Sequence, residues 1–340
     1  MNVVKTKSWP RWRSIGKLGW VILVVACLVL AGQARAQSGR MPVAYSAISG
    51  AFAPLWVAHD EGLFTKYGLS VDQIFIAGGS RVAQTIVAKN VELAVMGGGV
   101  IEATLGGADL VYVAGYINTL VFSLYARPEL RQVGDLRGKV VGATRHGTGT
   151  MYSAILVLRK FGLEPGRNVH LLQTGGVPET LAALQAGVIQ AGVISAPTTL
   201  RAQGMGFREL VDMAAVGIPF VHEGIATSRA YLAAQPKRVE AFLKGFIEGM
   251  RLYKANEALA QRVISKYTRV RDPELLRETY ETFGRHLALK PYTPRAAIVN
   301  MLQFLAEQNP RARQAKPEEF YDDQALRRLE AAGFFGLSGR

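Results

Sequence analysis

The chain has 340 residues, of which 49% are hydrophobic and 19% charged, and its formal net charge is +14. A chain of this length can bury a large core and exceeds the usual single domain, so we expect two lobes. The basic residues form no run interleaved with aromatic residues, which argues against a nucleic-acid partner. The positive charge is compatible with anionic ligands.

The first 36 residues have the pattern of an export signal. A basic start without acidic residues precedes an apolar core at residues 18–31, and Ala34-Arg35-Ala36 fits the rule of small residues at a cleavage site. We therefore predict cleavage between Ala36 and Gln37 and a periplasmic location. The apolar core is shorter than the roughly 20 residues that span a membrane, but an uncleaved anchor stays open as an alternative.

The cysteine content agrees with export. Cys27 is the only cysteine, and it lies in the apolar core of the predicted signal. The mature chain would then have no disulfide, which suits a periplasmic protein large enough to be stabilised by its core. The signal contains six of the 40 Lys and Arg residues and none of the 26 acidic ones, so the mature net charge would be +8.

Seven short apolar runs predict buried strands. A run that is apolar on both faces is what a parallel sheet covered by helices requires. Helix-like segments lie between the runs, for example at residues 81–89, 151–161 and 179–186. This alternation predicts the α/β class. The predicted strands are residues 43–46, 71–76, 93–96, 110–114, 139–143, 169–172 and 191–194.

Glycines and prolines mark the predicted helix ends. Gly62, Gly68 and Gly162 fall where a left-handed residue would end a helix. After about residue 229 the pattern is helical only, and Asp272-Pro273 and Thr293-Pro294 predict helix starts. Two apolar stripes at helical spacing predict core packing. They are Val239, Phe242, Leu243, Phe246, Ile247, Met250 and Tyr253, and Ala297, Ile298, Met301, Leu302 and Leu305.

Six predicted strands lead into turns rich in Gly, Ser or Thr that precede a helix. Such a turn leaves unpaired backbone N–H groups at a helix start, where they can bind anionic or strongly polar atoms. Three turns in each half predict two lobes that face each other across a cleft. The turns are residues 46–50, 78–80 and 97–99 in the first half, and residues 146–150, 174–176 and 195–197 in the second.

We predict that ligand-binding residues lie in these turns and near one strand end. Capping of the helices explains the serines almost as well, and the glycines at 97–99 also suit a simple tight turn. Arg81 and Arg145 adjoin two of the turns, either in the cleft or on the surface. The predicted site residues are Ser46, Ser49, Gly50, Gly79, Ser80, Gly98, Gly99, Tyr116, Asn118, His146, Gly147, Thr148, Gly149, Thr150, Gly176 and Ser195.

The sequence offers little support for a metal, a cofactor or a catalytic centre. The five histidines lack metal-ligand spacing, and the mature chain has no cysteine to assist them. Residues 134–140 resemble a phosphate-binding loop but are one residue short, and Val140 stands where Ser or Thr is needed. No Gly-x-Ser-x-Gly nucleophile motif is present in the sequence. We predict that the protein is not an enzyme and has no cofactor.

Several motifs, in the right order, carry a family resemblance. Residues 53–64 run into Tyr67-Gly68-Leu69-Ser70-Val71, and four further matches follow at residues 84–88, 135–142, 181–187 and 292–294. The chain resembles periplasmic solute-binding proteins of the nitrate/sulfonate/taurine and thiamine-pyrimidine-precursor group over roughly residues 41–305. One departure is Gln190, which stands where this group usually has an Asp. We interpret that position as structural.

The resemblance implies a two-lobed periplasmic binding protein fold of type II, in which each lobe is a mainly parallel sheet flanked by helices, with a helical C-terminal extension. The first lobe would combine residues 41–124 with residues 226–340, and the second would be residues 125–225, with crossings near residues 122–126 and 223–227. Ligand would bind outside the carboxyl ends of the parallel strands, where the turns lie.

The function that the resemblance implies is solute capture for an ABC importer. The expected ligand is a small organic anion such as a sulfonate or carboxylate, the expected partner is an inner-membrane permease, and the protein is expected to be a monomer. Two alternatives stay open, namely an enzyme on the same fold and a protein that binds a pyrimidine precursor.

Overall fold

The computed structural model of the protein describes residues 40–336, so the predicted signal and Cys27 lie outside the described residues. In this range the strands form two five-stranded sheets, which we call sheet A and sheet B. The strands are β1 (Arg40–Tyr45), β2 (Ser70–Phe75), β3 (Leu93–Met96), β4 (Leu110–Thr119), β5 (Ser123–Ala126), β6 (Val140–Ala143), β7 (His170–Gln173), β8 (Ala191–Ile194), β9 (Arg208–Asp212) and β10 (Pro219–Ser228).

Helices connect and cover these strands. They are α1 (Ala53–Asp60), α2 (Leu63–Lys66), α3 (Gly79–Val87), α4 (Val100–Leu105), α5 (Gly149–Lys160), α6 (Val177–Gln185), α7 (Thr198–Gly204), α8 (Arg229–Ala234), α9 (Pro236–Ala255), α10 (Glu257–Thr268), α11 (Pro273–His286), α12 (Arg295–Leu305), α13 (Pro310–Gln314) and α14 (Gln324–Ala331). Short 3₁₀ helices occur at Gly50–Phe52, Val133–Leu136, Pro317–Glu319 and Phe334–Gly336. In residues 40–336 no helix is both long and apolar enough to cross a membrane.

Both sheets contain parallel and antiparallel strands. Sheet A has the order β2-β1-β3-β10-β4, with β1 parallel to β3 and with β10 antiparallel to β3 and β4. Sheet B has the order β7-β6-β8-β5-β9, with β6 parallel to β7 and β8 and with β5 antiparallel to β8 and β9. The predicted α/β class with two helix-flanked sheets is confirmed, and each sheet is mixed.

The buried strands agree closely with their sequence pattern, whereas one edge strand was missed. β3 and β8 cover the predicted residues 93–96 and 191–194. The apolar pattern of the sequence does not predict β9, which includes Arg208, Glu209 and Asp212 and has exposed residues. A strand at the edge of a sheet with one solvated face lacks the continuous apolar run that a central strand shows.

The polypeptide passes twice between the sheets. It leaves sheet A after Thr119 and enters sheet B at Ser123, and it returns between Asp212 and Pro219. The helices that follow β10 pack mainly on sheet A, as α9 does against α1 and α2. The predicted boundaries between the two lobes describe which residues move together as one body. They stay a prediction.

A large core lies between sheet A and the C-terminal helices. The stripe predicted for residues 239–253 is buried, and Phe242 of α9 stacks on Phe64 with a centroid distance of 4.8 Å. Trp56 is also buried and stacks on Tyr267 at 4.6 Å. Such aromatic pairs add about 0.5–1.5 kcal/mol beyond the burial of their area. The prediction that this stripe is core packing is confirmed.

The predicted helix ends are confirmed with one exception. Gly62, Gly68 and Gly162 have φ angles of 66°, 76° and 74°, and Asp272 accepts hydrogen bonds from the backbone N–H groups of the first turn of α11. Thr293 was predicted to cap the next helix, but α12 begins at Arg295 after Pro294 and the Thr293 hydroxyl makes no hydrogen bond. Because the helix starts one residue later, Thr293 lies outside the capping position.

Gln190, the departure from the family pattern, has a structural role. Its Oε1 accepts a hydrogen bond from the backbone N–H of Val140 at 3.1 Å, and its Nε2 donates to the carbonyl of Gly187 at 3.2 Å. The side chain therefore joins the turn before β8 to the start of β6. The interpretation of Gln190 as a structural residue is confirmed.

Candidate ligand-binding site

Three of the predicted turns, two from sheet A and one from sheet B, are in contact. A Cβ atom on Gly98 would lie 3.0 Å from the carbonyl oxygen of Gly147, and a Cβ on Gly147 would lie 3.2 Å from Oγ of Ser80. Tyr152, in the first turns of α5, also approaches Gly98, at 3.5 Å from such a Cβ. The start of α3 and the turn before α5 thus lie against each other, and we call the junction between them the A–B crevice.

The start of α3 presents unpaired backbone N–H groups at this crevice. The N–H groups of Gly79, Ser80 and Arg81 donate no hydrogen bond to any atom within residues 40–336. The first turn contains no acidic side chain. A helix start with free N–H groups carries a partial positive charge and is suited to bind an anion.

The start of α5 has the same property on the side of sheet B. In the described part of the chain, the N–H groups of Gly149, Thr150 and Met151 donate no hydrogen bond, and the first turn has no acidic residue. The Thr148 hydroxyl donates to the carbonyl of Arg145 at 2.6 Å, and the Thr150 hydroxyl accepts from the N–H of Thr144 at 3.1 Å. In this conformation the two hydroxyls build the turn, while the N–H groups stay available.

Two other helix starts are occupied by their own glutamates. In α4, Oε2 of Glu102 accepts a hydrogen bond from the N–H of Gly99 at 3.1 Å, and burial raises the pKa of this carboxyl. In α6, the carboxylate of Glu179 lies over Gly176, where any Cβ would overlap it. An anion at either helix start would compete with a carboxylate that the chain itself supplies.

The glycine turn at residues 97–99 positions α3. A Cβ on Gly79 would overlap the carbonyl oxygen of Gly98, so glycine is required for this close approach. The buried Tyr112 hydroxyl donates to the carbonyl of Gly97 and fixes the orientation of the turn. The close packing of these glycines places the first residues of α3 directly against the turn.

The basic residues beside the crevice are exposed. Arg81 and His146 lie at the surface, and Nε of the exposed Arg145 donates to the carbonyl of Gly175 at 3.2 Å. The His146 N–H donates to Oε1 of Gln173 at 3.0 Å. These bonds tie the two turns after β6 and β7 together.

The remaining predicted site residues of sheet A lie farther along its edge. The carbonyl of Ser46 accepts a hydrogen bond from the N–H of Gly78 at 3.0 Å, which brings the first two turns together. Ser49 caps the short 3₁₀ helix that begins at Gly50. Gly50 itself packs against Thr279 and Phe283 of α11.

Tyr116 and Asn118 make internal hydrogen bonds. Tyr116 is fully buried, and its hydroxyl donates to the carbonyl of Ala51 at 2.9 Å. Nδ2 of Asn118 donates to the carbonyls of Gly115 and Tyr292 at 2.8 and 3.2 Å. Both side chains therefore join sheet A to its surrounding segments and are not brought to the A–B crevice.

Ser195 lies at the turn before α7, beside a residue that the sequence did not reveal. Its side chain is 8% exposed, and its carbonyl accepts from the N–H of Thr198 at 2.9 Å. Close by, the Thr199 hydroxyl donates to Oε1 of Glu278 at 2.7 Å, and burial raises the pKa of Glu278. Glu278 belongs to α11, 79 residues away from Thr199, so no local sequence pattern indicates the contact.

Comparisons with known proteins identify the family of the chain. The family described as NMT1/THI5 like matches residues 49–258. The chain belongs to this family. Riboflavin-binding protein RibY of Chloroflexus aurantiacus is 26% identical to it over 208 residues, which cover 58% of this chain and only 58% of the length of RibY.

Solved structures share the fold over most of their length. The periplasmic aliphatic sulphonate binding protein SsuA from Escherichia coli has a TM-score of 0.68 at 18% identity, with 81% of this chain and 96% of SsuA covered. The ligand binding component of an ABC-type import system from Staphylococcus aureus has a TM-score of 0.67 at 10% identity, with 85% and 98% covered. At these identities the likeness shows the fold of periplasmic binding proteins.

Proposed function

We propose that the protein is the extracytoplasmic solute-binding component of an ABC importer and captures a small organic anion, such as a sulfonate or carboxylate. The observation that carries the proposal is the meeting of two open helix starts, those of α3 and α5, at the A–B crevice. The N–H groups of both first turns lack partners within residues 40–336. The sulfonate-binding SsuA and the S. aureus ABC component, which have the same fold, support the assignment.

The energy that such a site can supply is adequate for solute capture. A helix start stabilises an anion by about 0.3–1 kcal/mol when exposed and by up to about 2 kcal/mol when partly buried. Hydrogen bonds to a charged group add roughly 1.5–3 kcal/mol each. Two helix starts with three or four such bonds therefore reach the about 8 kcal/mol that micromolar binding requires.

The proposed location and partner follow from the same role. The predicted signal, with cleavage between Ala36 and Gln37, would deliver the protein to the periplasm as a monomer. An inner-membrane permease would accept the ligand from it. Ligand would bind to both helix starts at once, because only contacts made with both parts can favour a closed conformation.

The proposal is tested by thermal unfolding and calorimetry with a ligand panel. The panel contains alkanesulfonates, arylsulfonates, short carboxylates, nitrate, a thiamine pyrimidine precursor and riboflavin. A bound anion at 100 times its Kd stabilises the fold by about 2.7 kcal/mol, which raises the Tm by several degrees. The ligand should be recovered chemically unchanged. The proposal would be contradicted if no anion of the panel raised the Tm, or if the protein converted the ligand to a product.

The match to RibY favours one second candidate, a neutral aromatic solute of the flavin type. The panel separates the two candidates, since riboflavin has no negative charge to place between the helix starts. A shift with riboflavin alone would favour this second candidate. A shift with sulfonates alone would favour the open helix starts as the binding site.

A further inference from the structure

Two side chains, the buried His222 and the partly buried Phe122, meet where the polypeptide passes between the sheets. Phe122 lies in the outgoing passage just before β5, and His222 lies on β10, the strand that enters sheet A on the return. Their ring centroids are 4.5 Å apart with an interplanar angle of 47°. The pair thus joins the two passages at one point.

A hydrogen bond strengthens this junction. The backbone N–H of Val121 donates to Nδ1 of His222 at 3.3 Å, inside the protein. Nδ1 can accept only in the neutral imidazole, whose proton is then on Nε2. Burial, together with the nearby His286, lowers the pKa of His222 to about 3, so the ring is neutral at physiological pH.

The same pair contacts the candidate site on both sides. The carbonyl of His222 packs against Gly97, where any Cβ would overlap it. The Phe122 ring lies 3.3 Å from the position of a Cβ on Gly149, the first residue of α5. Gly97 begins the turn that positions α3, so one packed path runs from the start of α3 through both passages to the start of α5.

We infer that His222 and Phe122 are positioning residues that hold the open helix starts of α3 and α5 opposite each other across the passages between the sheets. The biological meaning of this inference rests on the proposed function. The geometry of the contact between Phe122 and His222 is independent of that function. Energetic coupling between two sites can be carried by a contiguous chain of packed side chains and hydrogen bonds. A hydrogen-bond acceptor at the position of Nδ1 of His222 is therefore required to fix the position of one sheet relative to the other.

The test measures the distance between the two parts in the full chain without ligand. Spin labels are attached to Lys237→Cys on α9 and Gln185→Cys on α6, two exposed positions, with Cys27→Ser removing the only native cysteine. Pulsed EPR then gives the distance distribution. We expect one narrow distance for the parent chain and a broader or displaced distribution for His222→Leu and for Phe122→Ala.

His222→Asn is the conservative variant, because its amide oxygen is close to the position of Nδ1 and can accept from Val121. We expect it to restore the parent distribution. Phe246→Leu, in the core between sheet A and the helices, is the control for loss of stability alone. A parent-like distance in His222→Leu, or an equal broadening in Phe246→Leu, would overturn the inference.

Ligand affinity provides the second readout. With the panel anion that gives the largest Tm shift, we expect His222→Leu to raise Kd about three- to thirtyfold and His222→Asn to stay near the parent value. An unchanged Kd in His222→Leu would contradict the positioning role. If no panel anion binds, the proposed function fails while the EPR distances still decide the inference.

Discussion

Two pairs of helices in this protein begin alike and differ at their third residue. α3, α4, α5 and α6 each follow a turn rich in glycine or threonine at the carboxyl end of a strand. The third residue of α4 and of α6 is a glutamate, Glu102 or Glu179, whereas α3 and α5 have Arg81 and Met151 there. The first pair is occupied by its own carboxylates, and the second pair is open.

This difference shows that a glycine-rich turn is not sufficient to identify an anion site. The turn supplies N–H groups, but the residue at the third helical position decides whether a side chain already uses them. The two open helix starts also meet, through Gly147 of the turn before α5, which lies against Ser80 of α3 and against Gly98 of the turn before α4. The A–B crevice is therefore the place where two helix starts with unoccupied N–H groups meet.

The largest expected effect comes from the packing that places α3. In Gly79→Ala the new methyl group would overlap the carbonyl oxygen of Gly98. We expect a loss of about 1–3 kcal/mol in the free energy of unfolding and the loss of measurable anion binding. Chemical denaturation and calorimetry measure both. Gly134→Ala is the matched control, because no heavy atom lies within 4 Å of the added methyl group. An equal loss of stability and of anion binding in the two variants would contradict this account.

A carboxylate moved onto α3 should convert an open helix start into an occupied one. Arg81→Glu places at the third position of α3 the residue type that α4 and α6 have there. We expect the Kd for the anion to rise about tenfold, with the fold at least as stable as before. Arg81→Gln separates the added carboxylate from the lost guanidinium. The interpretation fails if both variants raise Kd equally.

The pH dependence of stability should reveal the buried acid of α4. Burial raises the pKa of Glu102 above its ordinary value of 4.5, so the folded protein binds this proton more tightly than the unfolded chain. The stabilising contribution is complete below pH 4.5 and is lost as pH rises through the raised value, at up to about 1.4 kcal/mol per pH unit. Glu102→Gln should remove this slope in denaturation curves measured from pH 4 upwards. An identical slope in the variant would exclude Glu102 as its source.

The smallest expected effect is at α6. Glu179→Gln removes the carboxylate that lies over Gly176, and we expect a loss of about 0.3–1 kcal/mol in stability. Anion affinity should stay within about twofold, because the contacts at the A–B crevice come from Ser80, Gly98 and Gly147. A tenfold gain in affinity would mean that α6 also faces the ligand, and it would break the division into open and occupied helix starts.

Much of the fold could be predicted from local sequence. The strands at residues 93–96 and 191–194 have continuous apolar runs, and Gly62, Gly68 and Gly162 end helices where their left-handed φ angles are needed. The edge strand β9 escaped prediction because its exposed residues are polar. Thr293 was misplaced as a cap because sequence alone does not fix a helix start to within one residue.

The candidate site could be predicted only in part. The six turns were located from their composition, but the prediction took no account of Glu102 and Glu179, which could have been found as acids at the third helical position. The contact of Gly147 with Ser80 and Gly98 joins residues that are far apart in the chain. The meeting of Phe122 with His222 is equally non-local. Such contacts depend on tertiary packing that no local pattern records.

The most direct test of the central claim is an NMR titration of the ¹⁵N-labelled protein with the panel anion that gives the largest Tm shift. The account predicts that the largest changes in amide chemical shift occur at Gly79, Ser80 and Arg81 of α3 and at Gly149 and Thr150 of α5, and that the amides of Gly99 and Glu179 change little. Changes confined to the starts of α4 and α6, or absent from one of the two open starts, would contradict it.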